Sequence, residues 1–149
     1  MARFAAQAGA RVTITDLRSA ETLQPALADL SDLDIEFILG EHPMSLLNEA
    51  DMVAISGGVP ANAPLVQAAR ARNIPVTNDS QEFMKRAPTA VIGITGSAGK
   101  TTTTALTGVM GLNLRAHHLG GRQYRPALIA DLHKMGPEDM VVQELSSFS

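Results

Sequence analysis

Residues 90–104 read Ala-Val-Ile-Gly-Ile-Thr-Gly-Ser-Ala-Gly-Lys-Thr-Thr-Thr-Thr. An apolar run, Ala90–Thr95, enters a loop with glycines at 93, 96 and 99 and is followed by Lys100 and four threonines. The run predicts a buried strand, and the stretch from Lys100 to Leu112 predicts a helix. Each residue type in the connection suits a phosphate. Glycine permits positive φ and lets backbone N–H groups approach anionic oxygens. A helix N-terminus adds unpaired donors and a partial positive charge. Lys100 supplies a point charge, and the Thr101 hydroxyl is a ligand for Mg²⁺. Gly96, Ser97, Ala98, Gly99, Lys100, Thr101 and Thr102 are therefore the candidate ATP-binding residues. The spacing GxxGxxGKT departs from the general phosphate-loop pattern, which has a glycine where this chain has Ile94. A strand–helix turn that merely contains glycine and lysine is the bland alternative.

Mg²⁺ at such a loop calls for an acidic residue at the end of a neighbouring strand. Glu144 closes the apolar run Met140–Val142 and is assigned that role, as a catalytic residue with Lys100 and a metal-binding residue with Thr101. Ser146 and Ser147 follow and could orient phosphate or metal-bound water. Taken by itself, a glutamate at a strand end is an ordinary solvated rim residue; the loop gives it significance.

Working outward, further short runs rich in Val and Ile predict strands at Arg11–Thr15, Ile35–Leu39, Asp51–Ile55, Pro75–Asn78 and Asp139–Leu145. Helical periodicity predicts Ser19–Leu30, Ala63–Arg72 and Ser80–Arg86. Apolar strands alternating with helices imply an α/β fold with parallel sheets covered on both faces. Pro88 cannot continue the preceding helix, so the break between two α/β pieces, 1–87 and 88–149, is expected at Lys85–Thr89. Met1–Gly9 predicts the latter half of a helix capped by Gly9. A doubly wound unit begins with a strand and a glycine-rich turn before that helix. The first piece is accordingly expected to be a partial doubly wound, Rossmann-like domain without its first strand. In the order 3-2-1-4-5 that strand is central, so its neighbours would be left with a strand-wide gap.

Composition narrows the field. The chain has 149 residues, 45% hydrophobic and 18% charged, enough apolar content for a core. A net charge of −3 offers no general attraction to nucleic acid or anionic membrane. With no cysteine, disulfides and thiolate chemistry are excluded. Aromatics at 3% make base-stacking platforms an unsuitable reading. No apolar run approaches the ~20 residues of a membrane span, and the N-terminus lacks signal-peptide features, so a cytoplasmic location is expected. His117 and His118 are adjacent and would diverge, so a shared metal is not expected, and His42 and His133 read as isolated surface residues. Arg70, Arg72, Lys85 and Arg86 sit near helix C-termini, where positive charge is favoured without any binding role.

The loop Gly96–Thr103 and the run Glu144-Leu145-Ser146-Ser147-Phe148 resemble the Mur ligases, which extend the UDP-linked precursor of bacterial peptidoglycan. The second run points to the branch that adds D-glutamate. Thr15-Asp16-Leu17-Arg18, Ser56-Gly57-Gly58-Val59-Pro60 and Gly120-Gly121 followed by Pro126-Ala127-Leu128 agree with it. The resemblance implies a UDP-binding domain followed by the first part of a phosphate-loop ATPase domain. It implies that Asp16 and Arg18 face the uridine, that Ser56, Gly57 and Gly58 lie near the UDP moiety, and that Ser146 lies near substrate. ATP and Mg²⁺ would be the cofactors, UDP-N-acetylmuramoyl-L-alanine and D-glutamate the small-molecule partners, and the full-length enzyme a monomer. The chain departs from the family pattern at Ala98 (family Asn), Gly57-Gly58 (Pro-Gly), Gln81 (Glu) and Arg122-Gln123-Tyr124 (Asn-Ile-Gly). The family's first strand, carbamylated lysine and D-glutamate-binding domain have no counterpart, so the chain is expected to be a ligase shortened at both ends. Another Mur-type or folylpolyglutamate-type ligase, or a catalytically dead ATP-binding piece, remain the alternatives.

Overall fold

The computed structural model describes residues 1–112, 118–121 and 128–145. It divides into two compact units, Met1–Asn78 and Asp79–Ser149. Helix Asp79–Arg86 belongs to the second, where it packs against the 3₁₀ segment Leu128–Lys134. The expected break at Lys85–Thr89 would have placed that helix in the first piece.

The first unit opens with α1 (Ala2–Gln7). Gly9 takes φ +86°, and the Ala10 N–H reaches the Ala5 carbonyl at 3.0 Å while the Gly9 N–H reaches that of Ala6. This is the left-handed helix closure expected from a glycine there. β1 (Val12–Asp16) follows, then α2 (Ala20–Ala28) and β2 (Ile35–Leu39). Next come a 3₁₀ segment (Met44–Asn48), β3 (Val53–Ile55), α3 (Pro64–Ala71) and β4 (Val76–Asn78). β1 pairs with β2 in parallel, Val12 opposite Ile35 through Asp16 opposite Leu39. β3 pairs with β4, also in parallel.

These four strands form two separate pairs, and no ladder joins β1 to β3 among the described residues. Two separated parallel pairs are what the expected strand-wide gap would leave, but the expected covering of both faces does not hold. Along β1 and β2 every apolar residue is only half-buried, and the unit's buried apolar side chains are Leu47, Val66 and Ala69. A two-stranded ribbon has too little face to bury its own side chains, so helix α3 and the 3₁₀ segment carry the small core.

The second unit comprises α4 (Asp79–Arg86), β5 (Ala90–Ile94), α5 (Lys100–Leu112), β6 (His118–Gly121), the 3₁₀ segment and β7 (Met140–Glu144). Its sheet is parallel, in the order β5-β7-β6, so β7 is central. The buried Val141 and Val142 mark it as such. β6 escaped the sequence reading because its His-Leu-Gly-Gly composition has weak strand propensity. Phe83 of α4 and Ile129 of the 3₁₀ segment are fully buried. Gln143 crosses to α4 by donating from Nε2 to the Ser80 hydroxyl at 3.0 Å. Glu82 is buried yet charged; Lys85 donates to it at 2.8 Å and Arg86 pairs with its other oxygen. The cations of α4's last turn therefore also compensate an ion that would otherwise be costly to bury.

On α5, Leu106, Val109 and Met110 share an exposed face. Among the described residues no helix is long and apolar enough to cross a membrane.

Candidate functional site

The loop between β5 and α5 is shaped by two glycines. Gly96 takes φ +149° and Gly99 φ +76°, regions that a side chain disfavours by about 1–2 kcal/mol. Gly99 turns the chain into α5, and the Thr103 N–H then reaches the Gly99 carbonyl at 2.9 Å to begin the helix. The loop walls an open cavity of about 410 Å³ lined by Ser97, Ala98, Gly99, Lys100, Thr101, Thr102 and Glu144. All seven residues were candidates from the sequence.

Lys100 is half-buried, and its ammonium donates to the Gly96 carbonyl at 2.7 Å, lying across the base of the loop. The Thr101 hydroxyl donates to Glu144 Oε2 at 2.9 Å. This contact is set by the sheet: Ile94 lies opposite Glu144 in the β5–β7 register, and the Leu145 N–H continues the ladder to the Ile94 carbonyl at 2.8 Å. The end of β7 therefore sits beside the start of α5. Threonine 104, one turn on, is buried and donates back to the Lys100 carbonyl at 2.8 Å.

These oxygens fit a hard divalent cation. Mg²⁺ holds its ligands at about 2.1 Å in an octahedron, so adjacent ligand oxygens stand about 3 Å apart. The Thr101–Glu144 separation is that of an ordinary hydrogen bond and equals such an edge without requiring a metal. Among the described residues no group of three or more His, Asp or Glu could hold a metal. A cation here would depend on oxygens from its ligand, which is how Mg²⁺ accompanies a nucleotide.

A second polar cluster lies in the first unit, at the C-terminal ends of β1 and β2. Asp16 accepts three bonds from Arg18: backbone N–H at 2.9 Å, Nε at 3.0 Å and a terminal guanidinium nitrogen at 2.7 Å. The Arg18 side chain, helped by its own backbone N–H, holds the Asp16 carboxyl well below its ordinary range, at about 2. Gly40, at φ +87°, closes the cluster by donating to the Asp16 carbonyl at 2.8 Å and the Arg18 carbonyl at 3.2 Å. Because the folded-state value is depressed, the pair's contribution is complete above about pH 4 and fades as pH falls toward 2. A carbon-detected titration should place the Asp16 carboxyl near 2, and Arg18→Ala should return it toward about 4. An unchanged midpoint in the variant would show that Arg18 is not the cause.

Ser56, Gly57 and Gly58 form a turn after β3, closed by the Val59 N–H on the Ser56 carbonyl at 2.9 Å. Among the described residues no hydrogen bond joins that turn to Asp16 or Arg18. Ser146, Ser147, His117 and Arg122-Gln123-Tyr124 lie outside the described residues. His42, read from the sequence as an isolated surface residue, is instead half-buried, with Nδ1 2.8 Å from the Thr15 hydroxyl. Only the glycine two residues before it hinted that the chain folds back there.

Residues 1–78 match the family model described as Mur ligase MurD-like, N-terminal domain. A UDP-N-acetylmuramoylalanine–D-glutamate ligase of Trichlorobacter lovleyi is 38% identical over 149 residues, covering 99% of this chain and 33% of that protein. The protein of the same name from Citrifermentans bemidjiense is 43% identical over 150 residues, covering 98% and 32%. The chain thus spans about a third of the length of the curated relatives it matches. Among solved structures, a UDP-N-acetylmuramate:L-alanyl-γ-D-glutamyl-meso-diaminopimelate ligase from Neisseria meningitides superimposes with a TM-score of 0.54 at 18% identity. It covers 95% of this chain and 47% of that one, a likeness of fold. With more than half its length matched by the family model and its relatives aligned along nearly all of it, the chain belongs to the MurD-like Mur ligases.

Proposed function

We propose that this chain supplies the nucleotide-handling part of a cytoplasmic, monomeric, ATP-dependent ligase that joins D-glutamate to UDP-N-acetylmuramoyl-L-alanine in peptidoglycan precursor synthesis. The observation that carries the proposal is the cavity at the β5–α5 loop, where Lys100, the start of α5 and the Thr101–Glu144 oxygen pair converge. Curated relatives bearing that activity in their names, at 38% and 43% identity, support the choice of substrates.

In this reading the loop amides and Lys100 hold the β- and γ-phosphates of ATP, and Thr101 and Glu144 hold Mg²⁺. Bound Mg²⁺ would neutralise charge on the phosphoryl oxygens. The γ-phosphoryl passes to the muramoyl-alanine carboxylate, giving an acyl phosphate and ADP, and the D-glutamate nitrogen then displaces phosphate to form the amide. Such transfer depends on positioning and charge compensation rather than on a protein nucleophile. Lys100 serves that end: on leaving the Gly96 carbonyl its ammonium can follow charge onto the transferring group, an effect of several kcal/mol in a dry site. Asp16, Arg18 and the Ser56–Gly58 turn are assigned to the UDP moiety, and Ser146 to substrate.

Ligand competition tests the choice of substrate. UDP-N-acetylmuramoyl-L-alanine should bind the 149-residue chain saturably, and folate should not displace it. Binding of folate in its place would transfer the assignment to a folylpolyglutamate-type ligase.

A further inference from the structure

The cluster at the ends of β1 and β2 contains a relay whose protons can be assigned by counting. The Thr15 hydroxyl lies 2.7 Å from the Glu41 carbonyl and 2.8 Å from His42 Nδ1. A hydroxyl has one proton, and a carbonyl can only accept. The Thr15 proton therefore goes to Glu41, and the 2.8 Å contact requires Nδ1 to donate to Thr15. A neutral imidazole donating from Nδ1 carries its lone pair on Nε2. Among the described residues Nε2 has no hydrogen-bond partner.

The rest of the cluster is short of acceptors. Asp16 already accepts three bonds from Arg18, and the guanidinium paired with it stays largely exposed. The strand ends thus offer one unsatisfied ring nitrogen and an exposed Asp16–Arg18 ion pair, at the C-terminal edge of a parallel pair where open α/β sheets receive ligands.

We infer that His42 Nε2 is a specificity-determining acceptor for the base of a pyrimidine nucleotide, taking the imide N3–H of uracil and rejecting cytosine. The inference rests on the assignment of this cluster to the UDP moiety. Uracil presents a donor at N3, whereas cytosine presents a lone pair there, which would face the lone pair of Nε2. Thr15 and Glu41 keep the imidazole in the tautomer that makes this distinction. A polar group left facing the wrong partner once the ligand covers it discriminates better than a difference in apolar fit.

The test uses the full chain with uridine diphosphate and cytidine diphosphate as probes, and long-range proton–nitrogen correlation of the histidine rings. The Nδ1–H tautomer of His42 is expected in the free protein, with Nε2 shifting on addition of uridine diphosphate. Wild-type protein should favour uridine over cytidine diphosphate by about tenfold, and His42→Phe should abolish the preference by weakening the uridine ligand alone. His42→Gln, which retains an acceptor, should recover part of it. An Nε2–H tautomer in the wild type overturns the inference without reference to any variant. Equal binding of the two diphosphates by wild type, or a preference that survives His42→Phe, overturns it while leaving the UDP assignment standing. No binding of uridine diphosphate at all overturns the assignment itself, and the inference with it.

Discussion

Lys100→Ala should weaken ATP binding by about tenfold or more, the equivalent of one charge-assisted contact of ~1.5–3 kcal/mol. The ammonium is half-buried and has a single protein partner among the described residues, the Gly96 carbonyl. That carbonyl lies at the loop's own base, so the side chain spans the cradle rather than supporting a distant part of the fold. Removing it should leave the secondary structure intact, because α5 is begun by the Gly99–Thr103 backbone bond and strengthened by Thr104. Calorimetric titration of ATP into both proteins measures the loss, with circular dichroism as the control. Lys100→Arg should not restore full affinity, since a planar fork is a poor replacement for a compact point charge in a tight loop. Equal affinities for wild type and the alanine variant would remove Lys100 from the site.

Glu144→Gln should cost most of the Mg²⁺-dependent part of ATP affinity. The carboxylate accepts from Thr101 at 2.9 Å, and an amide oxygen can still accept that bond, so the local geometry should survive. What disappears is the negative charge a hard cation requires. In the wild type, chelating Mg²⁺ should reduce ATP affinity by about tenfold, on the scale of one charged hydrogen bond. In Glu144→Gln the same chelation should change affinity little. If metal dependence is equal in both proteins, Glu144 does not hold the metal.

The second unit's site was legible from residue order because its parts are local. Gly96, Gly99, Lys100 and Thr101 lie within six consecutive positions, so a strand entering a helix brings them together without any long-range information. Glu144 was legible for a different reason. An apolar run ending in a carboxylate predicts a strand end, and the parallel β5–β7 register aligns that end with Ile94. The convergence of Thr101 and Glu144 on one metal was expected, whereas the direct hydrogen bond from the Thr101 hydroxyl to Glu144 depends on sheet order.

The first unit was less readable at its faces and its cluster. Val12, Ile14, Ile35 and Phe37 announced strands correctly, but apolar content does not reveal how little of its own faces a two-stranded pair can bury. Burial was overestimated for that reason. His42 was missed because its partner Thr15 lies 27 positions away and is joined to it only through β1–β2 pairing and the backbone turn at Gly40. Glu82 was passed over on similar grounds: its neighbours Lys85 and Arg86 looked like ordinary C-terminal cations until the helix was seen to bury the carboxylate between them.

Whether the loop's backbone amides receive a nucleotide's phosphates is tested most directly by amide nitrogen–proton spectra of the full chain titrated with Mg²⁺ and ATP. The amides of Gly96 to Thr102 should shift saturably, while those of Val12–Asp16 and Ile35–Leu39 stay in place. Loop amides that do not move at millimolar Mg²⁺-ATP, or shifts confined to the first unit, would contradict it.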